Sequence, residues 1–120
     1  MRMWMVPPHL LCRKHLLGEH VEMHMFGGSV EKGIRMDGYI QGGLLDPSQL
    51  AQRHDALAAE MIVRGYRHMS PLPESWSTTM ASRYKAEEVS IESNLNELSR
   101  RCAECRKNIH EFRTSSGIAA

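Results

Sequence analysis

Residues 10–25, Leu10-Leu-Cys-Arg-Lys-His-Leu-Leu-Gly-Glu-His-Val-Glu-Met-His-Met25, predict the first helix of this chain. Apolar residues recur in this stretch at intervals that are typical of one face of an amphipathic helix. The members of this predicted face are Leu10, Leu17, Val21 and Met25. Because Pro7 and Pro8 disfavour a helix interior, the helix begins only after them, and Gly27-Gly28 indicates where it weakens or ends.

A second helix is predicted further along the chain. Residues 27–47 are rich in glycine and show little periodicity, so we interpret them as a connecting segment. Asp46-Pro47 is a typical helix start, with an aspartate that can cap and a proline in the first turn. The helix then continues with Leu50, His54, Leu57 and Met61 on one face and ends near Gly65. Pro71 and Pro73 predict an irregular turn over 67–74.

The clearest periodic pattern lies near the end of the chain and predicts one long helix from Val89 onward. Its apolar residues are spaced by four and three in alternation, which predicts a continuous seam. The seam consists of Ile91, Leu95, Leu98, Cys102, Cys105, Ile109 and Phe112. We therefore expect an all-α single domain over 1–113, with about three main helices and a flexible tail over 114–120.

Composition limits the class of protein. The 120 residues include 15 Lys and Arg, 14 Asp and Glu, and 42% apolar residues, which suits one small globular domain. No apolar run is long enough for a membrane span, and the first residues lack a signal-peptide pattern, so we expect a cytoplasmic monomer without membrane association. Three cysteines in such a chain predict reduced thiols rather than a disulfide framework.

The cysteines also raise a metal-site hypothesis. Cys102 and Cys105 form a CxxC motif, and Cys12 with either His110 or His15 would complete a four-ligand zinc site if the first and last helices pack together. Because the pattern places both cysteines in the middle of a helix on its apolar seam, burial in the core is the simpler interpretation.

Histidines and carboxylates on the first helix give two weaker hypotheses. His20 and His24 have the spacing of a zinc-protease motif, but Val21 stands where the general-base glutamate belongs, so we interpret them as surface or capping residues. His15, Glu19 and Glu22 share another face, which is typical of a solvated surface. The alternative is a metal hydrolase that uses these three side chains.

Three short segments, in this order and at these separations, resemble the phage endonuclease V family of pyrimidine-dimer DNA glycosylases with AP lyase activity. The segments are Met1-Arg-Met-Trp4, His15-Leu-Leu-Gly-Glu-His-Val-Glu22 and Glu60-Met-Ile-Val-Arg-Gly-Tyr66. The resemblance covers about the first seventy residues and implies a helical domain in which the N-terminal segment passes between the helices. It also implies that the chain's own α-amine lies in the active site.

In this family the amine attacks C1′ of the damaged nucleotide and forms a Schiff base, and a glutamate on the first helix is essential. The matching residues here are Met1, which is normally retained before Arg2, and Glu22. An ordinary α-amine has a pKa of about 8 against about 10.4 for lysine, so it supplies far more free base at neutral pH. The expected substrate is a cyclobutane pyrimidine dimer in double-stranded DNA, with no cofactor.

The resemblance implies DNA contacts from Arg2 and His15. Lys14, Arg100 and Arg101 supply further positive charge at nearby positions. The sequence departs from the family where Val21 and Met25 replace two arginines, so another damaged or modified base is an open alternative. A non-catalytic DNA-binding module, with or without a structural zinc, is the competing hypothesis.

Overall fold

Six α-helices form the framework of the computed structural model, which describes residues 1–115. They are α1 (Arg13–Glu31), α2 (Asp37–Gln41), α3 (Leu50–Val63), α4 (Glu74–Arg83), α5 (Ile91–Arg101) and α6 (Ala103–Ser115). Short 3-10 helices span Pro8–Leu10 and Pro47–Gln49. No strand occurs in residues 1–115, so the all-α prediction is confirmed. None of these helices is both long and apolar enough to cross a bilayer.

The N-terminal segment, residues 1–6, runs through the interior between α1 and α5. The Trp4 N–H donates to the Glu19 carboxylate of α1 over 3.1 Å, and the Trp4 carbonyl accepts from the Asn94 side chain of α5 over 2.8 Å. Met5 adopts a φ of 61°, an uncommon value for a residue with a side chain. Trp4 and Val6 on either side of it are both buried. The segment is therefore fixed by contacts with its surroundings rather than by its own backbone preference.

A buried ion pair joins α1, α3 and this segment. The Arg53 guanidinium donates from Nε to Glu19 Oε2 over 2.6 Å and from its terminal nitrogen to Oε1 over 2.8 Å. It also donates to the Val6 carbonyl over 2.7 Å. Burial raises the pKa of Glu19, and the adjacent guanidinium opposes this by stabilising the carboxylate. Glu19 and Arg53 thus neutralise each other's charge and form hydrogen bonds with each other in the core.

The buried face of α1 differs from the predicted one. Val21 and Met25 are 54% and 48% exposed, so the predicted apolar face is wrong there. The face that is buried consists of Leu16, Glu19, His20, Met23, Phe26, Gly27 and Val30. Two of these residues are polar and are compensated by partners on α3, which an apolar periodicity does not detect.

A histidine cluster, consisting of His20, His24, His54 and His68, packs where α1 meets α3 and the 67–74 segment. His20 is buried, so its interpretation as a surface residue is wrong. Its Nε2 atom lies 3.1 Å from Nε2 of His54, which is also 3.1 Å from the Ser70 carbonyl oxygen. Burial, together with the neighbouring histidines, lowers the pKa of His20 to about 4.

Helix α1 continues past Gly27-Gly28 to Glu31, contrary to prediction. A Cβ atom on Gly27 would lie 2.7 Å from the Trp76 ring, so this glycine permits close packing of α4 instead of ending α1. The sequence pattern did not predict α4, because Met80 is its one buried residue in a polar helix. Arg83 ties the end of α4 to α1 by donating to the Val30 carbonyl over 2.6 Å.

The segment predicted as a connection is only partly irregular. It contains the last turn of α1 and the short helix α2. The predicted cap at Asp46 is confirmed, since its carboxylate accepts from the Ser48 N–H over 3.0 Å, but it starts the 3-10 helix Pro47–Gln49, and α3 begins only at Leu50. Gly65, with a φ of 82°, follows α3 as expected, and 67–73 contains no helix.

The long C-terminal helix is divided in two at Cys102. This residue is extended, with φ −132° and ψ 117°, and ends α5 directly before α6 begins. The prediction that the CxxC motif lies in the middle of a helix is therefore wrong, because Cys102 and Cys105 lie at the start of α6. Helix α6 includes Thr114 and Ser115, and the rest of the expected tail, 116–120, lies outside the described residues.

We expect Arg53→Met to lower the free energy of unfolding by about 3–5 kcal/mol, because it leaves the Glu19 carboxylate buried without its partner. Arg35→Met is the matched control, since Arg35 forms an exposed pair with Asp37 and its removal should cost less than about 1 kcal/mol. Urea unfolding measures both. Equal losses in the two variants would contradict the role of the buried pair.

We expect stability to fall as the pH is lowered from about 6.5 to about 4, the interval between the ordinary and the folded pKa of His20. In this interval the unfolded chain binds a proton at His20 and the folded chain does not, so protonation favours unfolding. His24, His54, His68 and Asp55 surround this site. His20→Gln should flatten the pH profile of the urea midpoint, whereas replacement of the exposed His110 by Gln should not.

Candidate active site

The α-amine of Met1 and the carboxylate of Glu22 lie together at the end of the threaded segment. The Met1 nitrogen is 3.7 Å from Glu22 Oε1, and the same oxygen accepts from the Arg2 N–H over 2.9 Å. The side chains of Met1 and Glu22 are 16% and 27% exposed, so both groups are reachable from outside but largely shielded. Glu22 lies one turn after Glu19, and the contact that fixes Trp4 therefore also sets the position of Met1.

A cavity of about 340 Å³ opens beside this pair, a size within the roughly 300–1,000 Å³ of small-ligand sites. Its lining consists of Met1, Arg2, Trp4, His15, Glu22, Leu44 and Arg101. These residues come from the N-terminal segment, from α1, from the loop before α3 and from α5. The cavity is thus a product of the tertiary structure.

Cations and an aromatic ring shape the cavity wall. The Arg2 guanidinium lies 4.3 Å from the centre of the Trp4 ring and donates to Asn94 Oδ1 over 3.2 Å. The Arg101 guanidinium lies 5.8 Å from the same ring. Two guanidinium groups beside one amine–carboxylate pair provide a positive environment that suits an anionic ligand.

His15 lines the cavity as a neutral side chain near pH 7. Its pKa is lowered by burial and by the positive charge of Lys14. Its ring meets Trp4 edge-on, with centroids 6.1 Å apart. The Nδ1 atom points toward the cysteines, so one imidazole connects the cavity with the cysteine cluster.

The other predicted DNA-binding residues are Lys14, Arg100 and Arg101, and only Arg101 lines the cavity. Lys14 is exposed at the start of α1. Arg100 and Arg101 both donate to Glu97, and these hydrogen bonds lower the pKa of that carboxyl to about 2. Arg101 also reaches the cavity, whereas Arg100 does not line it. A phosphate that binds these arginines has to compete with Glu97.

The structure brings together the three cysteines and one histidine, but the histidine is His15. Ligand atoms of Cys12, His15, Cys102 and Cys105 all lie within 4.8 Å of one another. His110, the other candidate, is exposed on α6 and is not part of this group. The interpretation of Cys102 and Cys105 as core cysteines is half correct, since Cys105 is buried and Cys102 is only partly buried.

The metal-hydrolase alternative is not supported by this arrangement. Both carboxylate oxygens of Glu19 are occupied by Arg53, and Glu19 is buried.

The sequence did not reveal the roles of Arg53 and Asn94, which hold the threaded segment in place. Each is a polar residue inside a helix, and no local signal distinguishes it from a surface residue.

The geometry offers one chemical capability above others: a primary amine beside a carboxylate, in a cavity with two guanidinium groups. An amine in this position can attack an electrophilic carbon, and the carboxylate can stabilise positive charge or transfer a proton. This combination agrees with the chemistry that the sequence resemblance implies.

Comparison with known proteins identifies the family. The family model described as "Pyrimidine dimer DNA glycosylase" matches residues 1–74, which include the threaded segment, α1 and α3. Comparisons with curated proteins and with solved structures gave no match. Since the match covers more than half of the chain and contains both Met1 and Glu22, the chain belongs to the pyrimidine dimer DNA glycosylase family.

Proposed function

We propose that this protein is a DNA repair glycosylase with AP lyase activity that uses the α-amine of Met1 as nucleophile and Glu22 as its catalytic carboxylate. The observation that carries the proposal is the 3.7 Å distance between the Met1 nitrogen and Glu22 Oε1. Membership of the glycosylase family supports the type of reaction.

The first step is attack of the unprotonated amine on C1′ of the damaged nucleotide. A C–N bond to Met1 forms, and the bond between C1′ and the base breaks, so the base leaves with the electron pair. Glu22 stabilises the positive charge that develops on the sugar. The amine nitrogen gives one proton to the departing base and a second to O4′ as the C1′–O4′ bond breaks, which leaves a Schiff base between Met1 and the sugar.

The second step cleaves the strand. A carboxylate at the position of Glu22 removes a proton from C2′, and the electron pair expels the phosphate at C3′ by β-elimination. Water hydrolyses the Schiff base and restores the free amine. The protein's own groups are sufficient for these steps.

The proposed substrate is a cyclobutane pyrimidine dimer in double-stranded DNA. Arg2 and Arg101 at the cavity, with Lys14 and Arg100 around it, would contact phosphates, and His15 would lie near the lesion. Bases that are already poorly paired cost less to extrude, which favours damaged DNA as substrate. Val21 and Met25 are exposed at the positions where the resemblance implies arginines. Because these positions are close to Glu22 in the sequence, they bear on which lesion is preferred, and several damaged duplexes should be compared as substrates.

We expect Glu22→Gln to reduce cleavage of a duplex with an abasic site at least about 100-fold, because the amide cannot accept the C2′ proton. DNA binding should be retained, since the substitution removes a negative charge. Glu31→Gln, on the exposed end of the same helix, is the matched control and should cleave at the wild-type rate. Wild-type cleavage by Glu22→Gln would exclude the proposed role.

We expect borohydride to trap a covalent complex with abasic or UV-irradiated duplex, and mass spectrometry of its peptides should locate the adduct on the Met1 nitrogen. Addition of one glycine before Met1 displaces the amine from Glu22 and should abolish trapping without lowering the melting temperature. An adduct on a lysine would refute the role of Met1. Binding without any trapping would favour the non-catalytic DNA-binding module.

A further inference from the structure

A cluster of three thiols and one imidazole lies outside the proposed chemistry. This Cys3His cluster consists of Cys12, His15, Cys102 and Cys105, and its ligand atoms lie within 4.8 Å of one another. Cys12 and His15 lie at the start of α1, and Cys102 and Cys105 lie at the start of α6, about ninety positions later. The family match ends at residue 74, so nothing in it accounts for the second pair.

The distances in the Cys3His cluster suit one metal ion. Zinc–sulfur bonds of about 2.3 Å and zinc–nitrogen bonds of about 2.0–2.1 Å place tetrahedral ligand atoms about 3.5–3.8 Å apart. Sγ of Cys12 lies 3.2 Å from Nδ1 of His15 and 3.8 Å from Sγ of Cys102. Nδ1 of His15 is 3.7 Å from Sγ of Cys105. The last two distances lie within this range, and the distance from Cys12 Sγ to His15 Nδ1 is slightly shorter.

The backbone around the cluster is arranged to stabilise thiolates. The Cys12 N–H points to Sγ of Cys105 over 3.3 Å, and the Cys105 N–H points to Sγ of Cys102 over 3.5 Å. The first turns of α1 and α6 both face the sulfur atoms, and a helix N-terminus favours negative charge. Each pair has the three-residue spacing that places two side chains on the same side of a first turn.

Neither competing arrangement accounts for all four side chains. A disulfide would use two of the sulfurs, and the Cys12 and Cys102 sulfurs are 3.8 Å apart, far beyond a bond of about 2.05 Å. Simple core packing does not require an imidazole nitrogen to face two sulfurs.

We propose that Cys12, His15, Cys102 and Cys105 bind one zinc ion with tetrahedral geometry. Four protein ligands leave no open position, which is the pattern of a structural rather than a catalytic zinc. The ion cross-links the start of α1 to the break between α5 and α6. The break at Cys102 places this sulfur directly before the first turn of α6, beside the other three ligand atoms.

The proposed zinc also supports the neighbouring cavity. Two residues that line the cavity belong to the proposed site or adjoin it. His15 is a proposed ligand, and Arg101 directly precedes the proposed ligand Cys102. Fixing their backbone therefore holds two parts of the cavity wall in place. The zinc proposal does not depend on the glycosylase chemistry, because metal content is measured without DNA.

The test is the metal content of the full-length protein purified without added chelator. Elemental analysis should give one zinc per chain, and Cys102→Ser should reduce this to below about a tenth of the wild-type value. His110→Asn and His68→Gln are the controls and should retain one zinc, since the first is remote and the second belongs to the histidine cluster. Loss of zinc in His68→Gln, or full retention in Cys102→Ser, would overturn the assignment.

A second measurement keeps the proposal testable if Cys102→Ser does not fold. Cobalt exchanged into the wild-type protein should show the absorption bands of tetrahedral thiolate coordination. A thiol reagent should find three protected cysteines before chelation and three reactive ones after it. Three reactive thiols in the untreated, zinc-free protein, or a Cys12–Cys102 disulfide detected by mass spectrometry, would refute the site.

Discussion

Glu19 and Arg53 form two hydrogen bonds with each other in the interior, and the N-terminal segment is attached to both. Arg53 donates to the Val6 carbonyl, and Glu19 accepts from the Trp4 N–H. A buried ion pair is costly unless its remaining hydrogen-bonding capacity is used, and here the segment uses part of it. The hydrogen bonds that use the remaining capacity of the ion pair therefore also fix the position of the N-terminal segment in the fold.

The position of Met1 follows from that attachment. Glu19 and Glu22 lie one turn apart on α1, and an extended segment fixed to Glu19 at Trp4 brings the Met1 nitrogen to Glu22. Asn94 fixes the segment from the opposite side by donating to the Trp4 carbonyl. The amine is thus placed by packing on two helices, and the proposed zinc would hold the start of α6 against the start of α1.

Much of the fold was predictable, and two of the errors have a related cause. The apolar face of α3, the Asp46 cap of the 3-10 helix that leads into it and the glycine at position 65 that follows it are local features, and the structure confirms them. The face of α1 was predicted incorrectly because Glu19 and His20 are buried by partners on another helix. The break at Cys102 was missed because the apolar spacing continues through it. In both places the side chains contact residues from distant parts of the chain, Arg53 and His54 for α1 and Cys12 for Cys102, and the local pattern does not show these contacts.

The sequence by itself determined the helical class, the family resemblance and the two candidate catalytic residues, because these depend on local periodicity and on short motifs. Only the tertiary structure decided that Glu19 is buried and Glu22 accessible, and that His15 rather than His110 joins the cysteines. The physical reason is that burial and ligand geometry depend on partners from distant parts of the chain. Arg53, Asn94 and the start of α6 reach their places only when the helices pack.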